Sequence, residues 1–286
     1  MTEVHPYTPE TILNFHEFAE KLPEDFLDGI ASAPRVSIQT EFSVESWNSL
    51  IHIHDTGRNV QMIKAKVYTL GSIILKYNME NDVGIWLAHK HFDLLPNEKI
   101  VSTVAPSKSA AHELVLDVTP RTVIANAAHE SHPHAEDAPI ISSTCPLIPH
   151  LFKLSNSGVW SPMQFLSSTA ETTGVSDRAM KLMGAQEFLQ EYAAALRCMG
   201  VQNELGLSLK IDDAIGSDST MGTLETTDAT PGAERRQTIS LLEEGESAKE
   251  IRSATCWRFT KGPDGQIKMD ACSCKQQCDW NRWHCH

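Results

Sequence analysis

The sequence predicts an α+β fold: a mostly antiparallel curved sheet, or partial barrel, with an N-terminal helix pair and one long packed helix. Three observations support this prediction. Short segments rich in β-branched and aromatic residues follow one another from residue 35 to residue 125, with turn residues between them. Helical spacing of apolar residues is confined to the N-terminus and to the region around residue 190. The 286-residue chain is also long enough to bury a large core.

The first predicted elements are the two N-terminal helices. Thr8, Pro9 and Glu10 have the character of an N-cap, a first-turn proline and a first-turn acid. Apolar residues then recur at helical spacing until Pro23 ends the helix. A second short helix is predicted over residues 24–31.

A series of short strands is predicted to follow. The segments are 60–68, 72–77, 83–92, 99–104, 113–118, 121–125, 152–154, 159–166, 205–211 and 255–259. Since no long helix separates most of them, an antiparallel sheet is expected rather than a parallel one.

The clearest helical pattern spans residues 177–199. Ser176 or Asp177 provides the N-cap, and Gly200 follows the last turn. The apolar face consists of Leu182, Ala185, Leu189, Tyr192, Ala193 and Leu196. We expect this helix to pack on one side of the sheet.

Residues 1–262 are expected to form a single globular domain, and residues 263–286 a tail rich in cysteine and histidine. Within the domain, residues 216–236 are rich in Ser, Thr, Asp and Gly, which predicts a mobile surface loop.

Composition narrows the classes of ligand. A formal net charge of -13 disfavours binding to nucleic acid or to an anionic membrane. The N-terminus has no apolar signal segment, and no apolar stretch is long enough to span a bilayer, so a cytoplasmic protein is expected. The phosphate-binding glycine motifs and the G-x-S-x-G nucleophile motif are missing, so no nucleotide cofactor is expected.

The strand 83–92 becomes rich in potential metal ligands at its end. Alternation along a strand places His89, His91 and Asp93 on one face with Leu87, and Trp86 on the other. His-x-Asp is the spacing found in iron sites with two histidines and one carboxylate. Without a metal, His91 can serve as a general base with Asp93 as its partner.

A second pair, His52 and His54, precedes a turn in the same way. Two such pairs near strand ends predict one shared metal or acid–base site. The alternative is that these histidines are ordinary core or surface residues.

The C-terminal tail is the densest cluster of soft metal ligands. Its members are Cys272, Cys274, Cys278, His284, Cys285 and His286. Thiolates and imidazoles select Zn²⁺ or Cu⁺, but the spacing is not that of paired C-x2-C motifs. A disulfide and an inert tail are the alternatives.

The leading functional hypothesis is therefore an intracellular enzyme that uses Zn, Fe or Cu to act on a small molecule, with His91 and Asp93 as catalytic residues. Two alternatives stay open. One is a non-catalytic protein that binds Zn or Cu through its tail, and the other is a cofactor-free enzyme with a His91–Asp93 general base.

Overall fold

The computed structural model describes residues 21–32, 35–58, 60–105, 115–122, 146–168, 172–211, 223–227, 235, 237–241, 252–261 and 267–275. The helices in these ranges are α1 (Phe26–Ser32), α2 (Val44–Asn48), α3 (Val60–Lys76), α4 (Thr173–Gly184) and α5 (Gln186–Cys198), with a 3-10 helix at Ile53–Arg58. The strands are β1 (Ser37–Ile38), β2 (Ile51–His52), β3 (Val83–Leu87), β4 (His89–Lys90), β5 (Glu98–Ala105), β6 (Val115–Thr122), β7 (Leu147–Leu154), β8 (Val159–Ser167), β9 (Leu205–Leu209), β10 (Thr223–Thr227), β11 (Gln237–Leu241), β12 (Arg252–Lys261) and β13 (Ile267–Lys275).

The fold is a mixed arrangement of a curled sheet and a few helices. Eleven strands pair in the order β1-β8-β5-β6-β11-β10-β13-β12-β3-β9-β7, and β7 also pairs with β8. The pairings thus return to β8, so the sheet curls round on itself. Strands β1 and β5 run parallel to β8, and β10 runs parallel to β13, while the remaining pairs of this sheet are antiparallel.

The two faces of the curled sheet have different neighbours. On β3, Val83, Ile85 and Leu87 belong to the main apolar core, which also contains the buried faces of α3 and α5. Trp86 belongs instead to a smaller cluster with Trp47 and neighbouring apolar residues. This alternation places the helices against one face and leaves the other face to line a cavity.

Helix α3 corrects the prediction of two strands at 60–68 and 72–77. Its β-branched and aromatic residues resemble strand composition, but the buried positions Ile63, Val67, Leu70 and Ile74 recur at helical spacing. The period of burial, rather than residue type, decides the element here.

The predicted helix over 177–199 is also corrected, because it is two helices. They meet at Ala185, whose ψ of 59° is not helical. Gly184, a poor helix former, is the last residue of α4. The predicted apolar face is otherwise buried, and Gly200 adopts the positive φ of 68° expected after a helix C-terminus.

Other predictions are met only in part. Helix α1 lies close to the second predicted N-terminal helix, whereas the first, before Pro23, falls largely outside the described residues. The segment 216–236, predicted as a mobile loop, contains β10, and Arg235 is the other described residue within it. In the part of the chain that the structure describes, no helix combines the length and apolar character needed to cross a membrane.

Candidate metal centre

Three buried side chains bring potential metal ligands together. Nε2 of His89 lies 3.1 Å from Nε2 of His91. Oε2 of Glu225 lies 3.4 Å from Nε2 of His89 and 3.5 Å from Nε2 of His91. Among the described residues these three form a group whose ligand atoms are close enough to hold one metal ion.

Two of the three sides of this triangle have the length expected around a small tetrahedral ion. Tetrahedral Zn²⁺, with bonds of about 2.0–2.1 Å, separates neighbouring ligand atoms by about 3.3–3.4 Å. Octahedral coordination at the same bond lengths would need separations of about 2.8–3.0 Å. The two contacts of Glu225, at 3.4 and 3.5 Å, are long for hydrogen bonds but suit ligands arranged around an ion.

The tautomer of His89 is set by its backbone. Nδ1 of His89 lies 2.7 Å from the carbonyl oxygen of Leu87, and a carbonyl can only accept. The Nδ1 nitrogen is therefore protonated, and in the neutral imidazole Nε2 is left to bind a metal ion. Such a hydrogen bond is the usual way in which proteins orient a metal-binding histidine.

The ionisation states also suit metal binding. Burial lowers the pKa of His91, although Glu225 opposes this effect. Burial raises the pKa of Glu225, but the neighbouring His89 and His91 outweigh it and hold that pKa well below its usual range. A neutral imidazole and a carboxylate anion are the forms that coordinate a metal.

The irregular segment after β4 is fixed by side-chain donors. Four consecutive carbonyl oxygens, from residue 91 to residue 94, each accept one hydrogen bond from a different side chain. The pairs are His52 Nε2 to His91 (2.8 Å), Trp47 Nε1 to Phe92 (3.0 Å), Arg235 Nη1 to Asp93 (2.6 Å) and Asn48 Nδ2 to Leu94 (2.9 Å). These contacts hold His91 in place where no sheet ladder does so.

Glu225 reaches the histidines through sheet pairing. It lies in the middle of β10, opposite Ile239 of antiparallel β11 and Cys274 of parallel β13. Arg235, between β10 and β11, also binds Glu98 through Nη2 at 2.5 Å. Arg235 therefore ties the β10–β11 connection to the segment that carries His91.

The triad lines a cavity on the inner face of the curled sheet. Its empty volume, including the mouth, is about 790 Å³. Strands from all round the sheet contribute to the wall, which combines apolar and polar side chains. The lining residues are Trp47, Trp86, His89, His91, Leu116, His150, Leu151, Gln164, Ser208, Leu209, Ile211, Glu225, Gln237, Ile239, Cys256 and Arg258.

The predicted histidine pair at 89 and 91 does meet in one site, but not on the predicted face. The two side chains share the cavity with Trp86, whereas Leu87 belongs to the opposite core. The reason is a break in the strand at Ala88, between β3 and β4, which resets the alternation.

The other predicted ligands lie elsewhere. Nε2 of His52 donates to the His91 carbonyl and so supports the site rather than facing it. The side chain of Asp93 is 72% exposed and pairs with Lys90 at 2.6 Å, so it is not the carboxylate of this group. The side chain of His54 falls outside the described residues, although its backbone belongs to a 3-10 helix rather than a strand.

Only the backbone of the first two of the six predicted tail ligands lies in the described part of the chain. The backbone of Cys272 and Cys274 belongs to β13, where Cys272 is opposite Cys256. Their side chains, and all of Cys278, His284, Cys285 and His286, lie outside the described part of the chain. The proposed convergence of these ligands stays a prediction.

Glu225 is the member of this triad that the sequence prediction missed. It lies inside the segment assigned as a loop because of its Ser, Thr and Asp content. The sequence around it, Thr223-Leu-Glu-Thr-Thr227, is rich in β-branched residues and was a signal for a short strand.

Comparison with protein-family models, curated proteins and solved structures finds no significant match to this chain.

Proposed function

We propose that this protein is a cytoplasmic metal-dependent enzyme that acts on a small molecule, with Zn²⁺ held by His89, His91 and Glu225. The observation that supports this most directly is that three buried ligand atoms, 3.1–3.5 Å apart, line a cavity inside the curled sheet. The net charge of -13 favours a small-molecule ligand over nucleic acid or an anionic membrane.

Three protein ligands suit a catalytic metal better than a structural one. Structural zinc sites are usually closed by four protein ligands, whereas catalytic sites keep one position for water or substrate. Two histidines and one glutamate are a known catalytic zinc set. The metal would activate a water molecule or polarise a substrate oxygen. Glu225 and the two imidazoles would hold the ion. The Leu87 carbonyl would orient the His89 imidazole, and His52 would hold the backbone of His91.

We propose Zn²⁺ rather than Fe²⁺ as the bound ion because of the distances between the three ligand atoms. Two of the three separations, 3.4 and 3.5 Å, match a tetrahedral site more closely than an octahedral one. Fe²⁺ is the second candidate, because open sites with two histidines and one carboxylate also serve iron enzymes.

The tail-based and cofactor-free hypotheses are less well supported. Asp93 pairs with Lys90 at the surface, so its carboxylate is not directed at His91 as a partner for a general base would be. Metal binding by the tail has support only from its composition. Metal content distinguishes binding by the tail from binding by the triad.

The test is elemental analysis of purified full-length protein and of three matched variants. Wild type should carry close to one equivalent of metal, and Glu225→Gln, which keeps the side-chain shape, should lose most of it. Asp93→Asn serves as the carboxylate control and should keep the metal. A fourfold variant, Cys278→Ser with His284→Ala, Cys285→Ser and His286→Ala, should also keep it. If Glu225→Gln retains its metal and the fourfold variant loses it, the metal site lies in the tail and the triad proposal is wrong.

A further inference from the structure

A second polar cluster lines the cavity, away from the metal ligands in sequence. His150 on β7 is buried, with 3% of its surface exposed, and its Nε2 lies 3.3 Å from Oγ of Ser102. Nε2 of Gln164 on β8 donates to the same Oγ at 2.7 Å. His150 and Gln164 both line the cavity that holds the triad.

The hydrogen bonds of Ser102 bear on the tautomer of His150. A serine hydroxyl has one hydrogen, and Ser102 Oγ already accepts a hydrogen bond from Gln164. Within the described residues the other partner of this hydroxyl is Nε2 of His150, to which Ser102 can donate its one hydrogen. When Ser102 donates to Nε2, the ring proton of neutral His150 is on Nδ1. Burial lowers the pKa of His150 to about 3, so the ring is neutral at physiological pH.

We infer that the His150–Ser102–Gln164 cluster is a ligand-recognition site that binds an uncharged oxygen acceptor of the substrate through the Nδ1–H of His150. The inference rests on the proposed function, in which the other end of the same molecule meets the metal. A neutral donor favours a carbonyl over a carboxylate, because the uncharged imidazole of His150 does not compensate a buried negative charge. The substrate class is therefore a small molecule that bears a carbonyl group.

The probes for this inference are acetophenone and α-methylstyrene. The two molecules have nearly the same shape, but a carbonyl oxygen in the first is a methylene group in the second. Dissociation constants are measured by ligand-observed NMR titration of the full-length protein, both loaded with Zn²⁺ and free of metal. The quantity compared is the ratio of the dissociation constant of acetophenone to that of α-methylstyrene. His150→Phe removes the donor, so this ratio should be about tenfold higher in the variant than in wild type. His150→Gln retains a neutral amide donor and should change this ratio less.

The results separate the two proposals. The inference is overturned if wild type shows no saturable binding of acetophenone, or if folded His150→Phe leaves the ratio unchanged. If His150→Phe does not fold, Ser102→Ala decides, because loss of the hydroxyl frees the tautomer and should shift the ratio in the same direction. A long-range ¹H–¹⁵N correlation spectrum should show the Nδ1–H form of His150, and an Nε2–H form contradicts the inference. Absence of metal from wild type counts against the proposed function, whereas the ratio in metal-free protein tests His150 by itself.

Discussion

Replacement of Asn48 by alanine should damage both the stability of the protein and its affinity for metal. Nδ2 of Asn48 donates to the Leu94 carbonyl at 2.9 Å, and Oδ1 accepts from the Leu94 amide at 2.8 Å. Leu94 is 4% exposed, so water cannot readily replace these two bonds. Since each bond contributes about 0.5–1.5 kcal/mol, and an unsatisfied buried group costs more, Asn48→Ala should lower the free energy of unfolding by about 2–3 kcal/mol.

The same variant should weaken Zn²⁺ binding by about tenfold, which is typical when a residue that supports a metal ligand is lost. Urea unfolding monitored by circular dichroism gives the stability, and competition with a chromophoric chelator gives the affinity. Asn156→Ala is the matched control, because Asn156 makes an exposed contact with Gln202 at 3.1 Å and should change stability by less than about 0.5 kcal/mol. If Asn48→Ala resembles this control in both measurements, the segment that carries His91 is not held as described.

Three further predictions concern the cavity wall and its surroundings. Because the pKa of His150 is lowered to about 3 in the folded protein, the unfolded chain binds one more proton between that value and about 6.5. Acidification from pH 6.5 to pH 4.5 should therefore lower the free energy of unfolding by about 2–3 kcal/mol more in wild type than in His150→Gln. Urea unfolding at the two pH values measures this difference. Gly206→Ala should lower the thermal midpoint by at least about 5 °C, because its Cβ would lie 2.2 Å from the Phe152 carbonyl oxygen, whereas Gly184→Ala, with nothing within 4 Å, should not. Arg235→Met should reduce metal affinity without abolishing it in the chelator assay, since it removes the link between the β10–β11 connection and the Asp93 carbonyl.

Sequence reasoning identified elements well where burial and residue type agree. Strands β5, β8, β9 and β12 all lie within or close to their predicted ranges. Helix α3 was mistaken because it is buried among other elements, which favours Val, Ile and Tyr at positions that also suit a strand. Residue type alone cannot distinguish the two when a helix is rich in β-branched residues.

The candidate site could be predicted only to the extent that it is local in sequence. His89 and His91 are two residues apart, so their meeting follows from an extended backbone. Glu225 joins them because β10 pairs with β11 and β13, and such distant strand pairings leave no local pattern. Asp93 was the nearest carboxylate in sequence, but the bend after β4 turns it toward Lys90.

The pairing of β10 with β13 determines how the tail and the triad must be separated experimentally. A chain shortened to residue 262 would seem to remove only the cysteine-rich segment, yet it also removes β13. Because Cys274 lies opposite Glu225 in the sheet, loss of β13 would leave one edge of β10 unpaired and disturb the triad itself. Loss of metal from such a shortened chain would therefore not identify the ligands. Substitution of the residues beyond Lys275 leaves β13 intact, so only that change tests the tail independently of Glu225.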